Sequence, residues 1–533
     1  MQSTIERGNN KLLGLLDRAL SITESRWFVW LLLGFGAVLR VREYLLSNAL
    51  NEDEAALSLN IINKSVVELF GRLESNQVAP IGFLLLEKFA VTLFGTTEYS
   101  LRLVPLLFSL ASLVLFCEVA RRYLTGASLM FALGLFTSSA YLINYGAQVK
   151  QYSGDVTIAL AVTLAGLYLA DQTLTSTQIA WFAFLGAAVV WFSHPSVFVL
   201  AGVGSTLGIA AIWHRDWRRL TRLAVACGIW SISFLASFVV SLRGASLKTG
   251  LERSWDAKKT FMPLPPSSIA DLKWFPETLV RFFTNPLTSP VPAIAVAVLI
   301  IGFFAAYRIN RQRLLLLTLP VLFTLAASGL HKYPFGKRLI LFLVPTVILL
   351  IAAGIQLFLT GPVLLQLVGV ALALVLVLKP VAGAASHARR GQSGRDIRNI
   401  MAYVKTHREP GDLTYFYHGQ RDAFRYYAPR VGFEEDQYII GNDRPEKVPK
   451  GAASLLIFET DKLDLDQLRG KGRVWIVFSN ARSYKGVNEE EFMREYLDGF
   501  GRRLEQYKRE GIAAYLYDTS EDKLKSTDIS GFR

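Results

Sequence analysis

The chain has 533 residues, 52% of them hydrophobic and 19% charged, with a mean hydropathy of +0.33. That is too apolar for a soluble enzyme, and repeated apolar runs approach the length needed to cross a bilayer, so an α-helical polytopic membrane protein is expected. The net charge of +14 does not point to nucleic acid, because Lys and Arg sit in short loops between apolar runs, where they orient the chain and meet the head groups of membrane lipids.

In chain order, residues 1–26 read as a cytoplasmic N-terminus with an amphipathic stretch from Leu12 to Ile22. The first apolar run, Trp27 to Leu46, lacks a small-residue cleavage site and ends in Arg40, Arg42 and Glu43, which makes it an uncleaved anchor. Spans are expected near 27–46, 101–119, 127–146, 154–171, 178–193, 196–213, 221–241, 291–307, 314–330, 339–359 and 362–379, about eleven crossings within residues 27–384. The basic groups Arg121-Arg122, His214-Arg215 with Arg218-Arg219, and Arg308 with Arg311 and Arg313 separate apolar runs and are expected in the cytoplasm, which puts the C-terminus outside.

Residues 47–100 then form one outer loop. Its segment Pro80 to Gly95 holds about 16 residues where roughly 20 are needed to span, and it carries Glu87-Lys88 in its middle. It is expected to lie on the outer surface, after the similarly amphipathic Ala55 to Phe70. Beyond Lys379-Pro380 the apolar runs become short, and residues 385–533 read as a soluble α/β domain on the outer side. Helices are expected over Arg395–His407 and Glu489–Phe500, strands over Leu413–Tyr417, Ser454–Phe458, Val474–Phe478 and Ala513–Tyr517, and a loose polar end over Thr519–Arg533. Cys117 and Cys227 both fall inside expected spans, which argues against a disulfide framework.

Four outer constellations carry candidate chemistry. Asp53-Glu54, after Asn51-Glu52, either caps the helix that begins at Ala55 or supplies a general base near the membrane interface. Lys150 and Tyr152, with Asp155 behind them, either anchor a helix end or place an acid at the mouth of an apolar span. His331-Lys332-Tyr333-Pro334 with Lys337-Arg338 runs against the positive-inside bias; a phosphate or ordinary anionic lipid would account for it. His194-Pro195 reads as a packed turn residue or as a ligand or base. The sequence has no Walker loop, HExxH, GxSxG or CxxC, and a site without a phosphate-cradling loop suits a soluble nucleotide poorly.

A long outer loop with Asp53-Glu54, followed by Ala79-Pro80-Ile81-Gly82 and by Phe94-Gly95 with Glu98 and Arg102, resembles the GT-C glycosyltransferases. Within them it resembles the dolichyl-phosphate-mannose-protein mannosyltransferase and aminoarabinose-transferase family, classed as glycosyltransferase family 39. Lys150, Tyr152, Asp155 and the Tyr333-Pro334 and Arg338 loop extend the likeness over roughly residues 27–345. The resemblance implies an inverting transfer of a sugar from a polyprenyl-phosphate donor to a hydroxyl of a protein, lipid or glycan acceptor. It implies a bacterial inner membrane setting with the site on the periplasmic side. Asp53 is then the base, Glu54 shapes its turn, Asp155 is a second acid, and Lys150 and Arg338 face the lipid phosphate. Some members use a divalent metal, Mg2+ or Mn2+, and others do not; Asp53 and Asp155 are the candidate ligands here. The sequence departs from the pattern at Ala79, where relatives often carry histidine, and at Ala55, where an arginine often follows the acidic pair. Two other activities fit the same features: a flippase for a lipid-linked glycan, and a polysaccharide polymerase or ligase. Against the flippase, no internal symmetry of broken spans is seen.

Overall fold

The computed structural model describes residues 25–172, 175–242, 255, 259–389, 396–442, 453–484 and 486–520. The stretch Leu12–Ile22 lies outside them, as does the expected terminal segment beyond residue 520.

Helices occupy every expected span. They are α1 (Arg26–Leu46), then in the outer loop α2 (Glu52–Asn63) and α3 (Ile81–Phe94), then α4 (Glu98–Ala120), α5 (Gly126–Ser138), α6 (Ala140–Tyr145), α7 (Tyr152–Ala170), α8 (Ser176–Val189), α9 (Ser196–Trp213) and α10 (Trp217–Leu242). After these come α11 (Ile269–Thr284), α12 (Pro292–Ile309), α13 (Arg311–Gly329), a 3-10 turn Lys337–Leu343 running into α14 (Val344–Leu359), and α15 (Val363–Arg389). Eight of the described helices are long and apolar enough to cross a membrane. The run expected over 127–146 is broken at Ser139, which is extended, and splits into α5 and α6. Helix α8 is shorter than its expected span, at 14 residues.

Helix α1 is 21 residues long and carries charge near its C-terminal end, at Arg40, Arg42 and Glu43. Arg40, 0% exposed, is satisfied within the bundle: its Nε donates to Ser109 Oγ at 2.9 Å and its Nη1 to the carbonyls of Gly36 and Thr137 at 3.0 and 3.2 Å. A buried guanidinium whose donors are met this way ties α1, α4 and α5 together.

The segment 47–100 carries two helices, α2 and the short α3, and both bury residues: Leu57 and Ile61 of α2, Phe83 and Leu84 of α3. Helix α3 begins where the chain passes close under the turn after α8: Gly82 N donates to Trp191 O at 2.8 Å, and a Cβ at Gly82 would lie 2.8 Å from that same oxygen. Only glycine fits such an approach, which gives Pro80-Ile81-Gly82 a packing reason. Helix α11, an amphipathic helix, was not anticipated.

The C-terminal domain contains α16 (Ile397–His407), β1 (Leu413–Phe416), α17 (Arg421–Val431), β2 (Tyr438–Ile440), α18 (Ala453–Asp466), β3 (Arg473–Ser479), the small pair β4 (Ser483–Tyr484) and β5 (Val487–Asn488), α19 (Glu489–Phe500), β6 (Arg502–Arg509) and β7 (Ile512–Asp518). The main sheet has the order β2-β1-β3-β7-β6. Strands β1, β2 and β3 pair in parallel, whereas β7 is antiparallel to β3 and β6. The strand expected over Ser454–Phe458 is a correction: these residues open helix α18. A five-residue apolar run does not distinguish strand from buried helix. The chain after it continues as helix to Asp466, and Leu465 is buried on the sheet.

One face of the sheet closes a core of its own with α19, around Tyr415, Ile476, Leu497 and Tyr517. The other face does not stop at the domain edge. Ile400, Met401, Phe424 and Trp475 belong to one continuous core with Leu50, Leu57, Ile61 and Phe83 of the outer loop.

Candidate active site

The two readings of the acidic cluster separate onto different residues. Asn51 is the N-cap of α2, accepting from Glu54 N, and Glu54 answers it in a capping box. Glu54 Oε2 accepts from Asn51 N and Nδ2 at 3.2 and 2.8 Å. Its Oε1 accepts from Arg102 Nε and Nη2 at 3.1 and 2.9 Å and from Val149 N at 3.0 Å. Glu54 is therefore a buried clamp that joins the turn, α4 and the chain leading into α7. Asp53, one position earlier, points elsewhere: its Oδ2 meets Arg338 Nη2 at 2.7 Å, with both side chains partly exposed.

Arg338 is the centre of the site. Its guanidinium lies 5.7 Å from the centroid of the Tyr152 ring and 5.9 Å from that of Trp255, a stacked arrangement that favours arginine over lysine. Tyr145 packs edge-on against Tyr152 at 5.1 Å. Lys150 is buried and donates to Gln77 Oε1 at 2.7 Å. Burial pulls its ammonium down to about 8, against the attraction of Asp53 and Glu54. Asp53, Lys150, Tyr152 and Arg338, from three separate stretches of chain, thus share one place.

Asp155 lies one turn further into α7, buried, beside Ser193. His194 follows Ser193; its Nε2 is buried without a hydrogen-bond partner, and burial holds its ring down at about 4, so it is neutral. The basic loop divides. Tyr333 turns inward, donating to Leu339 O at 2.7 Å and packing on Phe198. His331 stacks on Phe261, and His331, Lys332 and Lys337 are exposed. Of the six residues singled out there, Arg338 is the one whose ion pair with Asp53 is described above.

Above Asp53 a cavity of about 570 Å3 lies between the outer loop and the C-terminal domain. Asp53 and Gln77 line it from below, with Arg72 from the outer loop and Arg421, Arg425 and Arg482 from the domain. The sequence reading missed these four arginines. The signal for two of them is the i, i+4 spacing of Arg421 and Arg425, which puts both on one face of α17. Glu52 positions that helix: its two carboxylate oxygens accept from Asp422 N and Ala423 N, each at 3.1 Å, at the positive end of α17. Burial raises the Glu52 carboxyl to about 7 despite these bonds.

The group of side chains placed to hold a metal among the described residues is His418, Asp461 and Glu489. It contains neither Asp53 nor Asp155, the two candidates raised by sequence.

No family model and no curated protein sequence matches this chain. Solved structures do. ArnT from Cupriavidus metallidurans bound to undecaprenyl phosphate is 14% identical with a TM-score of 0.53, covering 91% of this chain and 98% of that one. The apo state of the same protein gives 14%, 0.52, 92% and 98%. The Archaeoglobus fulgidus oligosaccharyltransferase, in complex with Zn and sulfate, is 12% identical with a TM-score of 0.50, covering 91% of this chain and 72% of that one. At such identities likeness speaks for architecture, and on that architecture this chain is a multi-pass membrane protein with the GT-C glycosyltransferase fold.

Proposed function

We propose that the protein is a glycosyltransferase that moves a sugar from a polyprenyl-phosphate carrier to a hydroxyl acceptor on the periplasmic face of a bacterial inner membrane. The observation that carries this reading is the ion pair of Arg338 with Asp53, which itself lines the cavity, and the buried Lys150 whose ammonium is attracted by Asp53. A base, two cations and an open space above them are the parts a single displacement from phosphate needs. That ArnT is described with bound undecaprenyl phosphate supports a lipid carrier of the same class.

The acceptor oxygen bonds to the anomeric carbon from the cavity side as the bond from that carbon to the carrier's phosphate oxygen breaks, so configuration inverts. The acceptor proton passes to Asp53. The electron pair of the broken bond leaves on the phosphate, and Arg338 and Lys150 meet the charge that develops there.

The test is turnover of purified protein with a polyprenyl-phosphate sugar and candidate hydroxyl acceptors, reading release of polyprenyl phosphate. Asp53→Asn is expected to lower turnover by about a hundred- to ten-thousand-fold while leaving insertion and folding intact. Near-normal turnover would end the assignment. Movement of intact donor across vesicles without release would instead identify a flippase, and a long glycan product a polymerase or ligase.

A further inference from the structure

We propose that His418, Asp461 and Glu489 form a divalent transition-metal site, of the zinc class, that braces the C-terminal domain beside the cavity. The three side chains come from separate elements: the turn after β1, helix α18 and the first residue of α19. They are 3%, 1% and 0% exposed. His418 Nε2 lies 3.2 Å from Asp461 Oδ1 and 3.7 Å from Glu489 Oε2. A tetrahedral centre with bonds of about 2.0–2.2 Å spaces its donors about 3.4 Å apart, so these separations are those of ligands around an ion. The whole group fits within 4.8 Å.

The second observation is the state of the polar atoms. Neither ring nitrogen of His418 has a hydrogen-bond partner, nor does Asp461 Oδ2, though all are buried. A charged imidazole between two carboxylates would need both N–H groups satisfied, because each unmet buried donor costs free energy. A bound dication resolves this. It takes a lone pair from neutral imidazole and one oxygen from each carboxylate, and it cancels two negative charges that are costly to keep from water. The same Oε2 of Glu489 accepts a hydrogen bond from Tyr417 Oη, a support that fixes the orientation of a ligating carboxylate. One imidazole with two carboxylates suits Zn2+, with Mn2+ the alternative; water completes the coordination.

The site has a reason to be where it is. His418 lines the cavity and precedes Arg421, Asp422 and Arg425, which line it too. An ion joining that turn to α18 and α19 holds the roof of the cavity in place. This proposal does not depend on the transferase reading, and its test needs no activity. Full-length protein in detergent, purified without a histidine tag, is equilibrated with Zn2+ or Mn2+, gel-filtered and analysed for metal. One equivalent of either ion per chain is expected, with a rise in the thermal midpoint that a chelator reverses. Asp461→Asn and Glu489→Gln, which keep side-chain shape, should each lose both the ion and the rise. Wild-type protein without metal, or metal retained equally by wild type and both variants, would overturn the proposal.

Discussion

At Lys150 burial and function pull in opposite directions, and the conflict is measurable. The ammonium is enclosed and lowered to about 8, so it still carries its charge near neutrality and loses it as pH rises through that value. If it meets the carrier phosphate and the charge that develops on it, KM for the donor should climb and kcat should fall between about pH 7 and about pH 9. Lys150→Arg, which keeps its charge throughout, should flatten that rise; an unchanged profile in the variant would show that Lys150 has no part in donor binding. Glu54 and Arg102 supply a second prediction. Both are almost fully buried and joined at 2.9 Å, and removing one partner of such a pair costs about 3–5 kcal/mol. Arg102→Met should therefore lower the thermal midpoint sharply, and Arg102→Met with Glu54→Gln should cost less than the sum of the two alone. The sequence offered base or cap for Asp53-Glu54 as a unit. Which carboxylate does which could not be read there, because the answer depends on Arg102 and Arg338, which lie 48 and 285 positions away in the chain.

Among the elements, helix α17 has the most informative placement. Its first turn is held by Glu52 from the outer loop, and its exposed face sends Arg421 and Arg425 into the cavity. Burial raises the Glu52 carboxyl to about 7, above the value of about 4.3 it has in an unfolded chain. A folded value above the unfolded one means that the contribution is fully present below about pH 4.3 and is lost as pH rises through about 7. Amide exchange in residues 421–425 should accordingly quicken between about pH 6 and about pH 8 beyond its intrinsic trend, and Glu52→Gln should remove the excess. The same excess in the variant would rule Glu52 out as its source. The long apolar helices were legible because length and hydropathy suffice for them. The helix over residues 453–466 was not, since its opening run Ser454–Phe458 is apolar enough for either structure, and the burial of Leu465 against the sheet comes only with the tertiary fold. The arginines of the cavity were illegible for a similar reason: Arg72 and Arg482 carry no local motif, and only the docking of two distant segments brings them above Asp53.

Across the whole molecule, the division into a membrane part and a soluble part describes the composition better than the packing. The outer loop has no closed core of its own. Leu50, Ala55, Leu57 and Ile61 are buried in the same cluster as Ile400, Met401, Phe424 and Tyr427 of the C-terminal domain. The polar contacts follow the same seam: Tyr427 Oη accepts from Leu50 N at 2.8 Å and donates to Glu98 at 3.0 Å, and Arg398 reaches Glu98 and Ser47 O at 3.2 and 2.7 Å. Removing the domain would expose the apolar face of α2, and each side chain uncovered would lose a stabilisation of about 1.5–3 kcal/mol. It would also leave Glu98 without Tyr427 and Arg398, and Glu52 without the helix end it caps. A chain ending at residue 389 should therefore still insert, since α1 and most of the helices from α4 to α15 pack on a separate core, but its loop 47–100 should be cut by protease far faster than in the full chain. Turnover should be lost with it, because Asp53 stands at the start of α2 and keeps its place against Arg338 only while that helix is held. A truncated chain whose outer loop resists protease as the full chain does would show that the loop folds alone and that the domain serves the cavity only as a roof.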